Sequence, residues 1–194
     1  MDKNMACSVK TKKKMAQALK VLMEEAPFEK ITVSDITDKC GIHRQTFYYH
    51  FNDRYELLDW MIYTELVEPF VDGFSLDNMY EKFFNMLTTM YTDKRFYKKA
   101  IKISTADLST YINSIAKDEF IDVIKSLGKS TNIIKTEQTD DEIIAEFFGY
   151  GISGVVLNWA QRGMKESPRE MTDKIQDLVE ICKQISYNRQ NIQR

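Results

Sequence analysis

Residues 41–52 read Gly41-Ile42-His43-Arg44-Gln45-Thr46-Phe47-Tyr48-Tyr49-His50-Phe51-Asn52, and the reading of this stretch decides the fold. Gly41 directly follows a short segment, 32–40, whose apolar residues fall at helical spacing, so only a tight turn fits between it and what comes next. Glycine takes the left-handed conformation that ends one helix before another begins. The pattern predicts a helix over Val33–Cys40, a turn, and a second helix over about Arg44–Phe51, a helix-turn-helix. In the second helix only Phe47 and Phe51, four apart and on one face, have the character of core anchors. A helix this short is not stable alone and needs a scaffold. Its other sides carry Arg44, Gln45, Thr46, Tyr48, Tyr49 and His50, whereas a merely solvated face would favour Lys and Glu. Arg and Gln match guanine and adenine edges, and Thr and Tyr hydroxyls suit phosphates. The stretch therefore reads as a DNA recognition helix with Arg44 and Gln45 at the base-reading end. The alternative is a purely structural helix pair.

Outward from this stretch the pattern stays helical. Upstream, Met15, Ala18, Leu19, Leu22 and Ala26 mark one buried face of a first helix that Pro27 stops. Residues 1–9 read as a frayed end. Lys10, Lys12, Lys13 and Lys14 open the helix either as a solvated basic end or as phosphate contacts. Thr32 and Asp35 have capping-box spacing for the next helix, and Val33, Ile36 and Phe28 would meet Phe47 and Phe51 in a three-helix core. Downstream, Asn52 or Asp53 caps a fourth helix running to about Glu68, where Pro69 and Gly73 break the pattern. Further helices are expected over 76–91, 95–104 and 107–127, followed by a mobile loop at 129–138. Thr139 and Glu142 form a capping box for a helix to Gln161 that is apolar on nearly every face. Ser167-Pro168-Arg169-Glu170 starts the last helix, with Met171, Ile175, Leu178, Cys182 and Ile185 as its buried stripe. The fold class is all-α, with about nine helices.

The whole chain agrees with this. Its 194 residues are 43% apolar and 29% charged with three prolines, a composition that suits a soluble helical protein. There is no apolar run of membrane-span length and no apolar signal core at the N-terminus, so a cytoplasmic protein with no membrane partner is expected. Cys7, Cys40 and Cys182 are far apart and lack metal-site spacing, which predicts no metal. The net charge of −2 is unevenly placed: residues 1–54 hold ten Lys/Arg and seven Asp/Glu, a balance of +3 that leaves −5 for the rest. A small DNA-binding head on an acidic body has this asymmetry. Both histidines, His43 and His50, lie in the recognition stretch, and no acidic pair or Gly-rich loop frames a catalytic site, so neither an enzyme nor a cofactor is expected.

The runs Ile31-Thr32-Val33-Ser34-Asp35-Ile36, Cys40-Gly41-Ile42, Thr46-Phe47-Tyr48-Tyr49-His50-Phe51 and Arg54-Tyr55-Glu56-Leu57-Leu58 resemble the DNA-binding domain of the TetR/AcrR family of bacterial transcriptional regulators. The resemblance is close over about residues 10–60, with Arg54 where the family usually has Lys. The later part is most similar to the DhaS-type regulators of dihydroxyacetone-kinase operons. It implies a helix-turn-helix domain at 1–55 and a helical regulatory and dimerisation domain at 56–194, joined through the fourth helix. It also implies backbone contacts at positions matching Ser34, Thr46, Tyr48, His50 and Arg54. With Thr32, His43, Arg44, Gln45 and Tyr49 these make up the candidate DNA-binding set.

For the body, a homodimer is expected through Gly151, Val155, Val156, Trp159, Ile175, Leu178 and Cys182, helices 140–161 and 170–187 pairing with their copies as a four-helix bundle. Two readings of the signal stay open. One is a small-molecule effector in a pocket lined by Trp60, Tyr63, Met86, Met90, Phe96 and Phe147, releasing a repressor from its operator. The other, implied by the DhaS-type resemblance, is an activator working with a kinase-like co-activator protein. A cavity with convergent polar groups would favour the first, and a core without a polar cluster the second.

Overall fold

The computed structural model describes residues 3–75, 77–104 and 141–192, with side chains from residue 7 to 103 and for most of 143–181. Every regular element among them is helical. In chain order they are α1 (Lys3–Glu25), a 3-10 turn (Phe28–Lys30), α2 (Val33–Cys40), α3 (Arg44–His50), α4 (Arg54–Ile62), a π-turn (Tyr63–Val67), α5 (Glu68–Val71), α6 (Met79–Thr92), α7 (Lys94–Ser104), α8 (Asp141–Gln161) and α9 (Pro168–Ile192). The helix and loop anticipated at 107–127 and 129–138 lie outside the described residues, as do Thr139 and the Glu142 side chain of the anticipated cap.

Local chemistry sets most boundaries. The Thr32 side chain accepts from the Asp35 amide at 3.2 Å, and Asp35 returns a bond to the Thr32 amide at 2.7 Å, a complete capping box. That bond from the Thr32 amide holds the Asp35 carboxyl below its usual pKa. Gly41 closes α2 at φ +66°, and no atom crowds the place of a Cβ, so the requirement there is conformational and not steric. Asp53, not Asn52, caps α4 by accepting from the Tyr55 and Glu56 amides. Ser167 and Glu170 repeat the capping box at α9, with Pro168 in the first helical position.

Three boundaries differ from the sequence expectation. α1 begins at Lys3 and takes in the end expected to fray. α6 begins at Met79, later than expected, where Asn78 accepts from the Ser75 amide and donates to the Gly73 carbonyl. Pro69 does not end the fourth helix. Backbone angles stay helical through 62–68, and the Glu68 amide reaches back five residues to Tyr63. A proline lacks the amide hydrogen and its ring strikes the carbonyl four residues earlier. The wider π-turn just before Pro69 relieves that clash and carries the helix on to Val71.

One core runs through the molecule, from Met15, Leu19 and Met23 of α1, through Phe28, Ile36, Phe47 and Leu58, to Phe83, Tyr97, Ala160 and Ile175. α1 packs on α2, α4 and α7, so it belongs equally to the helix-turn-helix and to the body. α6 lies on α9, and α7 on α8.

Candidate nucleic-acid interface

α3 buries only Phe47, which is fully enclosed, and Phe51 just beyond it is 3% exposed. Both rest on the floor formed by α1 and Ile36. The remaining α3 side chains face outward: His43, Arg44 and Gln45 are exposed, Thr46 and His50 are half-buried, and Tyr48 and Tyr49 are 51% and 83% exposed. Arg44 is held by Tyr48 one turn on, its Nη2 3.4 Å from the phenol oxygen and its guanidinium 6.0 Å from the ring centre. The structure thus brings His43, Arg44, Gln45, Thr46, Tyr48, Tyr49 and His50 together on one helix, as the sequence predicts.

The flanking candidates are placed differently. Thr32 is exposed, but its hydroxyl is engaged in the capping box with Asp35. Ser34 is half-buried on the first turn of α2. Arg54 is turned inward: its Nη1 donates to the carbonyls of Glu29 and Ile31, and its guanidinium lies 4.9 Å from the Phe28 ring and 5.4 Å from Tyr55. Arg54, expected to serve phosphate, forms in this structure a clamp that ties α4 to the 3-10 turn. Arg54→Ala is therefore expected to lower the free energy of unfolding by about 1–3 kcal/mol, because the Ile31 carbonyl loses its donor. Urea titration followed by circular dichroism measures this, and unchanged stability would show that the clamp does not hold the fold.

Among the amino-terminal lysines, Lys12 has a defined seat. Its ammonium lies 5.2 Å from the Phe51 ring centre and 5.6 Å from that of Trp60. Burial, and then the charge of Lys12, push the neighbouring His50 below the ordinary histidine pKa, so its ring is neutral at pH 7.

In the body, the expected effector-pocket residues do not converge. Met86 and Met90 line an apolar cavity of about 50 Å³ with Ile62, Leu66, Val156 and Ser153. Trp60 instead lies tilted against Phe51, ring centres 5.8 Å apart, under Lys12. Phe96 packs against Tyr97, Tyr63 is half-buried in the π-turn, and Phe147 is 73% exposed.

The expected dimer residues divide in the same way. Val156, Trp159 and Ile175 are 7%, 4% and 2% exposed and belong to the core of the single chain, and Trp159 Nε1 donates to the Glu166 carbonyl at 3.1 Å. Gly151, Val155 and Leu178 are exposed, and with Phe147, Ile152, Ile175 and Val179 they line an apolar trough of about 200 Å³ flanked by α8 and α9. Ile143, Tyr150 and Ile181, at 56%, 46% and 50% exposure, extend this surface. Residues 143, 147, 150 and 154 fall at helical spacing, the signal that could have joined Ile143 and Tyr150 to Phe147 from sequence. The Cys182 side chain lies outside the described residues.

Comparison with known proteins follows the same division of the chain. The profile described as bacterial regulatory proteins, tetR family, matches residues 16–61, and that described as transcriptional regulator C-terminal region matches residues 77–181. The chain belongs to the tetR family of bacterial regulatory proteins. The helix-turn-helix of α2 and α3 lies within the first of these two matched regions. It is 33% identical over 100 residues to the HTH-type dhaKLM operon transcriptional activator DhaS of Lactococcus lactis subsp. lactis (strain IL1403), a match covering 52% of this chain and 54% of the relative. Over 61 residues it is 43% identical to the uncharacterized HTH-type transcriptional regulator YxbF of Bacillus subtilis (strain 168), covering 31% of this chain and 16% of that one. These matches span about half of the first relative and less of the second. A solved structure of the dihydroxyacetone kinase operon activator DhaS superimposes with a TM-score of 0.69 at 23% identity, over 90% of this chain and 97% of that one, a likeness of fold. Among the described residues, no helix of this tetR-family regulator is long and apolar enough to cross a membrane.

Proposed function

We propose that this tetR-family regulator acts as a homodimer that activates transcription of a dihydroxyacetone kinase operon, together with a kinase-like co-activator protein. The body cavity carries this reading. At about 50 Å³, with Ser153 as its one polar lining residue among those described, it falls well short of the several hundred Å³ and convergent polar groups of a small-molecule site, whereas a polar cleft of about 320 Å³ between the π-turn and α6, lined by Glu65, Glu81, Lys82 and Asn85, is nearer that size. The small apolar cavity supports a signal taken from a protein surface, and a small molecule bound in the polar cleft would support the effector reading instead. The relative DhaS, named as an activator of the dhaKLM operon, supports the choice of target. The exposed apolar trough flanked by α8 and α9 supports the dimer, since contiguous apolar surface is where partners dock. In this reading residues 1–55 are the DNA-binding part and 56–194 the regulatory and dimerisation part.

Recognition is assigned to the outward residues of α3. Arg44 and Gln45 at its amino-terminal end read base edges, Ser34, Thr46, Tyr48, His50 and Arg54 set the helix on the backbone, and Thr32, His43 and Tyr49 complete the DNA-binding set. Arg44→Ala or Gln45→Ala should weaken binding to a selected duplex by about 1–3 kcal/mol and relax the preferred sequence. Equal losses on selected and random DNA would show that neither reads bases.

The operon assignment is tested by enriching duplexes from a random pool with the protein and locating the enriched sequence in the genome. The expected site lies upstream of genes for a dihydroxyacetone kinase, and a reporter there rises only when both the regulator and a kinase-like subunit are present. A reporter repressed by the regulator alone, and relieved by a small molecule, would establish the repressor reading instead.

A further inference from the structure

The π-turn places one carboxylate where the head meets the body. Glu65 lies at its centre, and its Oε2 receives both the Lys20 ammonium at 2.7 Å and the Tyr97 hydroxyl at 2.5 Å. Lys20 stands on α1, only 16% of its side chain is exposed, and its second carboxylate is Asp93, just before α7, at 2.9 Å. The rings of Phe96 and Tyr97 lie 5.0 and 5.6 Å from the same ammonium. On the same helix Met15, Leu19 and Met23 join the core that supports Phe47 of α3. A second link runs the other way, from the Lys99 ammonium of α7 to the Met23 carbonyl of α1. Ile62, Leu66 and Val67, in and beside the same turn, line the apolar cavity of the body. One turn of helix is thus in contact with the body cavity and, through Lys20, with the scaffold of the recognition helix.

We propose that Glu65 is a positioning residue for DNA reading, and that the turn carrying it has two registers, of which only the π register presents Glu65 to Lys20 and Tyr97. A π-turn holds one residue more than the α path. Closing it to α geometry turns one flank about the helix axis by one residue, roughly 100°. Such a rotation carries the carboxylate away from both partners and leaves Lys20 with Asp93 alone. The change is discrete, since the turn opens or closes by a whole residue and hydrogen-bonds in no register between. Burial opposes the Lys20 charge, but the bonds to Glu65 and Asp93 outweigh it and hold the pKa above the usual lysine value. Pro69 selects the π register because α geometry would set its ring against the Glu65 carbonyl. The register fixes the angle at which α1, and α3 with it, leaves the body.

The test uses the full chain with Pro69→Ala, which frees the turn to close, and Glu65→Gln, which keeps shape and loses charge. Pro69 is exposed, and a proline inside a helix is replaced by alanine without loss of packing. Two quantities are measured: hydrogen exchange in the carboxy-terminal half of α1, and affinity for a duplex enriched from a random pool by the parent protein. Both variants should keep the parent's circular dichroism, exchange faster around Lys20, and bind the duplex about tenfold more weakly. The double variant should lose no more than either single one, because both act through one contact. Parental exchange in α1, parental affinity, or losses that multiply in the double variant would each overturn the proposal. Should Pro69→Ala fail to fold, Glu65→Gln and Tyr97→Phe decide it on the same two readouts. The change in affinity rests on the two-headed reading above, whereas the exchange does not. A parent protein that sediments as a monomer therefore removes that reading alone.

Discussion

A Phe147→Asp chain is expected to fold normally, sediment as a monomer, and lose most of its affinity for the operator duplex. Phe147 is 73% exposed in the single chain, so an aspartate there costs the isolated fold little. In a two-fold dimer the same patch meets its copy, so one substitution places two carboxylates in one apolar seam. Neither finds a partner, and association fails. Each head then engages one half-site alone. The advantage of linking two heads is typically 10²–10⁴-fold, and the loss should be about that large. Sedimentation with circular dichroism separates a folded monomer from an unfolded chain, and titration of the enriched duplex gives the affinity. A folded monomeric variant that binds as tightly as the parent protein would sink the requirement for dimerisation.

Nine positions on, the opposite outcome is expected. Val156→Asp should unfold the body instead of splitting a dimer. Val156 is 7% exposed and faces Leu66, Met86 and Met90 across the small cavity, where no lining residue carries a charge. An unpaired buried carboxylate costs about 3–5 kcal/mol, a large part of a typical domain's stability. Burial raises its pKa above the value in the unfolded chain, so acid favours the folded state of this variant. Its urea midpoint should be far below the parent's at pH 7 and should recover relative to the parent as the pH falls. A variant as stable as the parent, yet monomeric, would put Val156 back in the interface.

These two positions show where sequence reading stops. Helix 141–161 is apolar on nearly every side, and its spacing alone does not say which side meets the chain's own core and which a second chain. The answer depends on α7 and on the α6–α9 pair, far away in sequence. Arg54 was illegible for the same reason, since its acceptors lie 23 and 25 residues earlier at a turn whose position only tertiary packing sets. Pro69 misled because the rule that proline ends a helix is local, and a wider turn upstream evades it. What was legible is local in origin: the Thr32–Asp35 and Ser167–Glu170 boxes, the Asp53 cap, Gly41, and the split of α3 into Phe47 inside and polar residues outside. Interactions three or four residues apart are written in the order of the residues. The Glu65–Lys20 contact, 45 residues apart, is not.

The division of labour in α3 has a consequence for how such a protein changes over generations. Phe47 is the one residue of that helix committed to holding the fold, so mutations at its other positions are screened by the promoter and hardly at all by stability. A duplicated gene can therefore drift from one set of target genes to another through many single steps, each leaving a sound protein. Among the described residues of the body many more side chains are committed to the core, so it has less freedom of this kind and changes its allegiance more slowly.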